Sequence, residues 1–134
     1  MRTTEQIETK NIPGKFTGDM LITPNALGSF VGFLTGKVSD GALISGTSVY
    51  KDKLGEQVTS DKLHIESCPT AADVSGGYWV TGDGYKAEDM TLLENGVLKS
   101  YLLGLYGANK TGLPRAVNAG GCYRIGAGDQ SLQD

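Results

Sequence analysis

Apolar positions along this chain recur with helical period in one early stretch and with strand period in several later ones. Ala26, Leu27, Phe30, Val31 and Leu34 fall at helical spacing. Thr23-Pro24 supplies a start, because Thr suits the cap and Pro the first helical position. Gly36 supplies a stop. The spacing therefore predicts a helix over about Thr23–Leu34, preceded by a short buried strand at Gly18-Asp19-Met20-Leu21-Ile22. Gly28, Gly32 and Gly36 recur every fourth residue, so one side of this helix is nearly bare backbone. That side is expected to be gripped by a sheet, or else to face another subunit.

Beyond Val38 the pattern turns to strand-like alternation. Gly41 to Tyr50 reads as loop plus a short strand, and Lys51-Asp52-Lys53-Leu54-Gly55 as a turn. Leu63-His64-Ile65-Glu66 alternates apolar with polar, as a half-buried strand does. Tyr78-Trp79-Val80 is strand-like and is broken by Gly82-Asp83-Gly84. The clearest local signal is Asn95-Gly96 between Met90-Thr91-Leu92-Leu93-Glu94 and the run from Val97 to Leu103. Asn-Gly supplies the positive φ angles of a type I′ turn, whose twist matches that of paired strands. A helical turn is expected over Tyr106 to Thr111, ended by Gly112 and Pro114. After Val117 the chain is Gly-rich with no closing hydrophobic strand.

Glycine accounts for 20 of the 134 residues, with no Gly-X-Y period, so turns and close backbone contacts are expected rather than collagen. Residues 1–15 form a polar lead-in, and residues 16–134 read as a single domain. The 12 basic and 15 acidic residues are scattered, without the basic face that nucleic-acid binding needs. Met20 to Leu34 is apolar-leaning over only 15 residues, short of the roughly 20 of a membrane span. With a polar start in place of a secretory signal, a cytoplasmic chain is expected, with Cys68 and Cys122 as free thiols in preference to the one disulfide that their number allows.

Chemistry-bearing patterns are few. His64, Glu66 and Cys68 at i, i+2 and i+4 would share one face of a strand, and all three residue types bind zinc. With Leu63 and Ile65 on the core face, the simpler reading points His64 and Glu66 at water, and no second imidazole is available. Asp83, Glu88 and Asp89 lack EF-hand spacing and read as an acidic turn facing solvent. Neither Gly82-Asp83-Gly84 nor Gly126-Ala127-Gly128 makes a dinucleotide loop, and no serine-hydrolase or P-loop pattern occurs. By residue chemistry alone the chain carries no catalytic site and calls for no cofactor.

The run from Thr91 to Leu102, Thr-Leu-Leu-Glu-Asn-Gly-Val-Leu-Lys-Ser-Tyr-Leu, resembles the central signature of the TldD/PmbA family, also called modulators of DNA gyrase. Leu54-Gly55-Glu56-Gln57-Val58 and Lys62-Leu63-His64-Ile65 resemble the family's turn and strand before it. Tyr106-Gly107-Ala108-Asn109-Lys110-Thr111-Gly112-Leu113 and Asn118-Ala119-Gly120-Gly121 resemble the PmbA (TldE) branch. The resemblance covers about residues 14 to 126, the first part of the family's C-terminal domain, so a fragment of a longer protein is expected. One departure is Thr81-Gly82-Asp83-Gly84, where the family often has two acidic residues before the glycine.

Active TldD-type members are zinc-dependent proteases with a His-Glu-x-x-x-His helix, which resembles the helix starting here at Thr23. Setting Gly28 on the family's glycine places Pro24 and Ser29 at the histidines and Asn25 at the glutamate. Proline cannot bind metal, serine is a poor zinc ligand and asparagine cannot act as a base. The resemblance thus implies a non-catalytic subunit beside a TldD-like catalytic partner acting on unfolded peptides, with Asn118, Ala119, Gly120 and Gly121 as a candidate peptide groove. Alternatives are an active peptidase using His64, Glu66 and Cys68, or a stand-alone module that adds a peptide strand to a sheet edge. The implied fold is α+β and β-rich, a curved antiparallel sheet packed around the short helix. A fragment of it should self-associate.

Overall fold

A computed structural model describes residues 14–128, together with Ile7 and Asn11. The remainder of the polar lead-in and the last six residues lie outside that set. The described chain is α+β, as expected. Helix α1 spans Pro24–Lys37 and α2 spans Asp40–Ile44, followed by strand β1 at Ile65–Ser67. Strands β2 (Met90–Glu94) and β3 (Val97–Leu98) then form a hairpin, before helix α3 at Leu105–Thr111 and strand β4 at Tyr123–Ile125. All pairings in the sheet are antiparallel, in the order β3-β2-β1-β4.

The hairpin turns as its sequence requires. Asn95 has φ 48° and Gly96 has φ 78°, the two left-handed residues of a type I′ turn. Gly96 is also a packing requirement, because a Cβ there would lie 2.5 Å from the carbonyl oxygens of Thr59 and Ser60. The second strand stops at Leu98, shorter than the expected run to Leu103. Its outer edge is covered by the preceding loop: the Leu98 amide donates to the Glu56 carbonyl at 3.0 Å, and the Gly55 and Val58 amides donate back to Leu98 and Gly96.

Opposite β1, Ile65 faces Leu93 while Glu66 faces Thr91, so Leu92 is the extra residue of a bulge. A bulge breaks the strict alternation of a strand, and both Leu92 and Leu93 are completely buried. They form the core with Ile65, Leu98, Tyr101, Leu103, Val38 and Leu43. Tyr101 satisfies its hydroxyl by donating to the Tyr50 carbonyl at 2.9 Å. Leu102 ties the hairpin exit to the α1–α2 junction, its amide donating to the Val38 carbonyl at 2.8 Å.

Helix α1 starts where the sequence places it, with Thr23 at the N-cap and Pro24 at the first helical position, though the Thr23 hydroxyl makes no capping bond. It runs through Gly36 to Lys37, one turn past the expected end. Val31 joins the core cluster, with Leu27 and Leu34 packed against it. The glycine side differs from expectation. A Cβ added at Gly28, Gly32 or Gly36 would meet nothing within 4 Å, so no sheet grips that face. Nor is there a strand at residues 18–22, where Met20 and Leu21 are exposed.

Three further elements depart from the sequence reading. Residues 40–44 form a helical turn in place of loop and strand. Tyr78-Trp79-Val80 contributes only an isolated bridge from Val80 to Lys86. The Gly-rich tail does hold a strand, β4, paired with β1. No helix among the described residues is long and apolar enough to cross a membrane.

Candidate functional site

The junction of α2, α3 and the 81–85 turn builds a cleft of about 400 Å³. Asp40, the first residue of α2, reaches across to α3 and accepts the Gly104 amide on Oδ1 at 2.9 Å. Asp83 accepts the Leu105 amide on Oδ2 at 2.8 Å. Two carboxylates thus take two of the backbone donors that the start of α3 leaves without helical partners. Gly107 makes the approach possible, since a Cβ there would fall 2.0 Å from Asp40 Oδ1.

The Thr81 hydroxyl donates to Asp83 Oδ1. That bond first, and the Leu105 amide second, hold the Asp83 carboxyl below its ordinary range. Arg115 offsets part of this charge: its guanidinium stacks 3.9 Å from the Tyr85 ring centroid, with Nη1 3.9 Å from Asp83 Oδ1. Asp83 is therefore a half-buried capping group rather than a solvent-facing acid. The other two acids considered with it work elsewhere: Asp89 Oδ1 accepts the Thr70 amide and hydroxyl, and Glu88 offers its carbonyl to Asn118. Asp40 and Arg115 were not singled out from the sequence. Their partners are distant along the chain, so no local pattern marks them.

Asn118 and Ala119 line the same cleft. Asn118 is buried, and its amide hydrogens are committed: Nδ2 donates to the Ser67 carbonyl at 3.2 Å and to the Glu88 carbonyl at 2.8 Å. Its Oδ1 accepts the Gly120 amide at 2.9 Å. The residue is a strut joining β1, the 88–90 segment and its own loop. What the loop offers to a ligand is backbone and the exposed Ala119 and Gly121. Tyr78 braces it further, its hydroxyl donating to the Gly120 carbonyl and accepting the Ala119 amide.

His64 and Glu66 do share a face of β1, with His64 Nε2 3.5 Å from Glu66 Oε1. Arg124 on β4 reaches Glu66 Oε2 at 3.9 Å and holds Asp73 by a bidentate contact at 2.8 and 2.9 Å. Cys68 Sγ lies 4.0 Å from Glu66 Oε2. Burial, then the nearby Asp89 and Glu66, push the Cys68 thiol up, away from the thiolate that a metal needs. Among the described residues no group of three or more His, Cys, Asp or Glu side chains is placed to hold a metal ion. Pro24, Asn25 and Ser29 lie exposed on the first turns of α1, away from this face.

The chain is 35% identical over 120 residues to a metalloprotease of Methanothermobacter thermautotrophicus, which covers 89% of this chain and 25% of the relative. It is 30% identical over 101 residues to the metalloprotease PmbA of Escherichia coli O157:H7, 75% of this chain and 22% of that protein. The fold superimposes on the crystal structure of a proposed modulator of DNA gyrase from Bacteroides thetaiotaomicron. There the TM-score is 0.74 at 24% identity, over 81% of this chain and 25% of the other. The chain thus spans about a quarter of the length of the relatives it matches. Residues 14–131 match the PmbA/TldA metallopeptidase C-terminal domain, and the chain belongs to that family.

Proposed function

We propose that this chain is part of a non-catalytic, PmbA-type subunit that works beside a TldD-like catalytic partner on unfolded peptides in the cytoplasm. The observation that carries the reading is the identity of the residues on the first turns of α1. Pro24, Asn25 and Ser29 stand where the resemblance places two metal-binding imidazoles and a general base. None of the three can do that work. The α2–α3 cleft, with the backbone of Ala119 to Gly121 at its rim, is the proposed peptide contact. Extended peptides are well held by backbone groups, which read any sequence. The outward face of α1 is the proposed association surface: Phe30 and Phe33 are exposed there beside the open glycine side, and a second copy of the same face would cover both.

Elemental analysis of the purified chain after zinc loading and desalting tests the reading, together with a peptide-cleavage assay. The expected result is far less than one zinc per chain and no cleavage, with His64→Ala behaving like the parent. About one zinc per chain, lost in His64→Ala or Cys68→Ser, would instead establish the His64, Glu66 and Cys68 site and overturn the proposal.

A further inference from the structure

The register of β1 on β4 places the two cysteines of this chain against each other. Ile65 faces Ile125, Glu66 faces Arg124 and Ser67 faces Tyr123, so the next pair is Cys68 with Cys122. The backbone continues the ladder to that point: the Cys68 amide donates to the Cys122 carbonyl at 3.0 Å. At the other end, the Gly126 amide donates to the His64 carbonyl at 2.9 Å. By register the hydrogen-bonded pairs are those at His64 and Glu66, and Cys68 keeps one bond of the next such pair. Residues opposed in such a pair have Cα atoms about 5.5 Å apart, within the roughly 4.4–6.8 Å that a disulfide spans. Opposed residues of a regular ladder also share a face of the sheet, as the Glu66–Arg124 contact at 3.9 Å demonstrates two residues away.

Both thiols are free, and each is held by weak contacts only. Cys122 Sγ lies 3.4 Å from the Gly76 carbonyl, and Cys68 Sγ lies 4.0 Å from Glu66 Oε2. In a regular ladder, the side chains of a hydrogen-bonded pair stand somewhat too far apart for a disulfide. This pair is at the end of the ladder. Cys122 leaves the extended conformation, with φ 49°, and the Cys68 carbonyl accepts the Ala71 amide at 3.3 Å. A single interstrand bond thus joins the two residues, which leaves the Cys122 backbone room to adjust.

We propose that Cys68 and Cys122 form an intramolecular disulfide when the chain meets an oxidising low-molecular-weight disulfide, a reversible clamp of β4 onto β1. Cys122, the more accessible of the two, attacks first as its thiolate. One thiol is released and a mixed disulfide forms on Cys122. Cys68 then gives up its proton and attacks the Cys122 sulfur, expelling the second thiol. Two protein thiols are oxidised and one external disulfide is reduced to two thiols. The clamp fixes the segment just before Cys122, which contains Asn118 to Gly121, by a covalent bond to the end of β1. The inference rests on the strand register and is independent of the proposed function.

The test is incubation of the native chain in glutathione buffers of increasing oxidised-to-reduced ratio, followed by acid quench, alkylation, intact mass and peptide mapping. The expected product is a monomer lighter by about 2 Da that takes up no alkylating agent. Its Cys68 peptide is linked to its Cys122 peptide, and its urea midpoint is higher than that of the reduced chain. Cys68→Ser should stop at the glutathione adduct on Cys122. The proposal fails if the wild-type chain, in fully oxidised buffer, ends as glutathione adducts, as disulfide-linked dimers or as unreacted thiols. It fails equally if the internal link forms only in urea.

Discussion

The β2–β3 hairpin and helix α1 are both rich in large apolar residues, and they place them in opposite ways. Leu92, Leu93 and Leu98 on the hairpin are at most 1% exposed. On α1 and the segment before it, Phe16, Met20, Leu21, Phe30 and Phe33 are 50–80% exposed. The hairpin finds its cover inside the chain: β1 on one side, the 55–58 loop on the other, and Tyr101 and Leu103 from its own exit. Helix α1 anchors one stripe, Leu27, Val31 and Leu34, and leaves the rest outside. Folding information for the hairpin is therefore contained in this chain. Helix α1 keeps Phe30 and Phe33 outside the chain's own core, which is why the proposed association falls on that face.

The largest effect expected from this contrast is Leu93→Ala. It opens a cavity beside its cross-strand partners Ile65 and Leu98 and should destabilise by about 2–5 kcal/mol. Urea unfolding followed by far-UV circular dichroism measures it. A loss under about 1 kcal/mol would mean that the hairpin core is loosely packed and the contrast false.

Gly96→Val is next, at more than about 2 kcal/mol. A β-branched residue resists the φ of 78°, and its Cβ would strike the Thr59 and Ser60 carbonyls. Gly112→Ala sharpens the number. Gly112 also has positive φ, at 72°, but open space around it, so it isolates the conformational cost, about 1 kcal/mol, from the clash. Equal losses at the two sites would remove packing from the account of the turn.

Phe33→Ser probes the other region. It should change the stability of the isolated fold by less than about 0.5 kcal/mol, because Phe33 is already 68% exposed. It should weaken self-association measured by sedimentation at micromolar concentration. A monomeric wild-type chain with no concentration dependence would remove the association surface. A stability loss as large as that of Leu93→Ala would show that α1 is covered within the chain.

What the sequence reveals follows the same divide between local and distant causes. Asn95-Gly96 sets its turn through its own φ preferences, and Gly112 ends α3 in the left-handed conformation it favours, φ 72°, so both were legible. Strand β4 was not: Tyr123-Arg124-Ile125 is three residues in a Gly-rich tail, and only pairing with β1 makes it a strand. Helix α2 is a single turn containing Gly41, held by Asp40 bonding to Gly104. The glycine period of α1 was visible, yet periodicity carries no sign of which faces are covered. In the cleft, Asn118 stood out by resemblance. Its role as a strut depends on Ser67 and Glu88, and no spacing rule links those to position 118.

The smallest expected effect concerns Asp83 and is read through pH. Its carboxyl is held below the ordinary 3.8 by the Thr81 hydroxyl, the Leu105 amide and, less strongly, Arg115. A carboxyl depressed in the folded state contributes stability that is complete above its unfolded value and disappears as pH falls through the folded one. Asp83→Asn keeps the shape and one acceptor but removes the charge. The wild-type chain should therefore be more stable than the variant at neutral pH. The gap should hold down to about pH 4 and narrow below it, by urea midpoints taken across that range. Lys53→Met is the control, since the Lys53–Glu56 pair is exposed and contributes little to stability. A gap that stays constant through the acid range would assign the effect of Asp83→Asn to lost hydrogen-bond geometry. A gap that widens would mean that Asp83 is more readily protonated in the fold than in the unfolded chain, contrary to the cap described at α3.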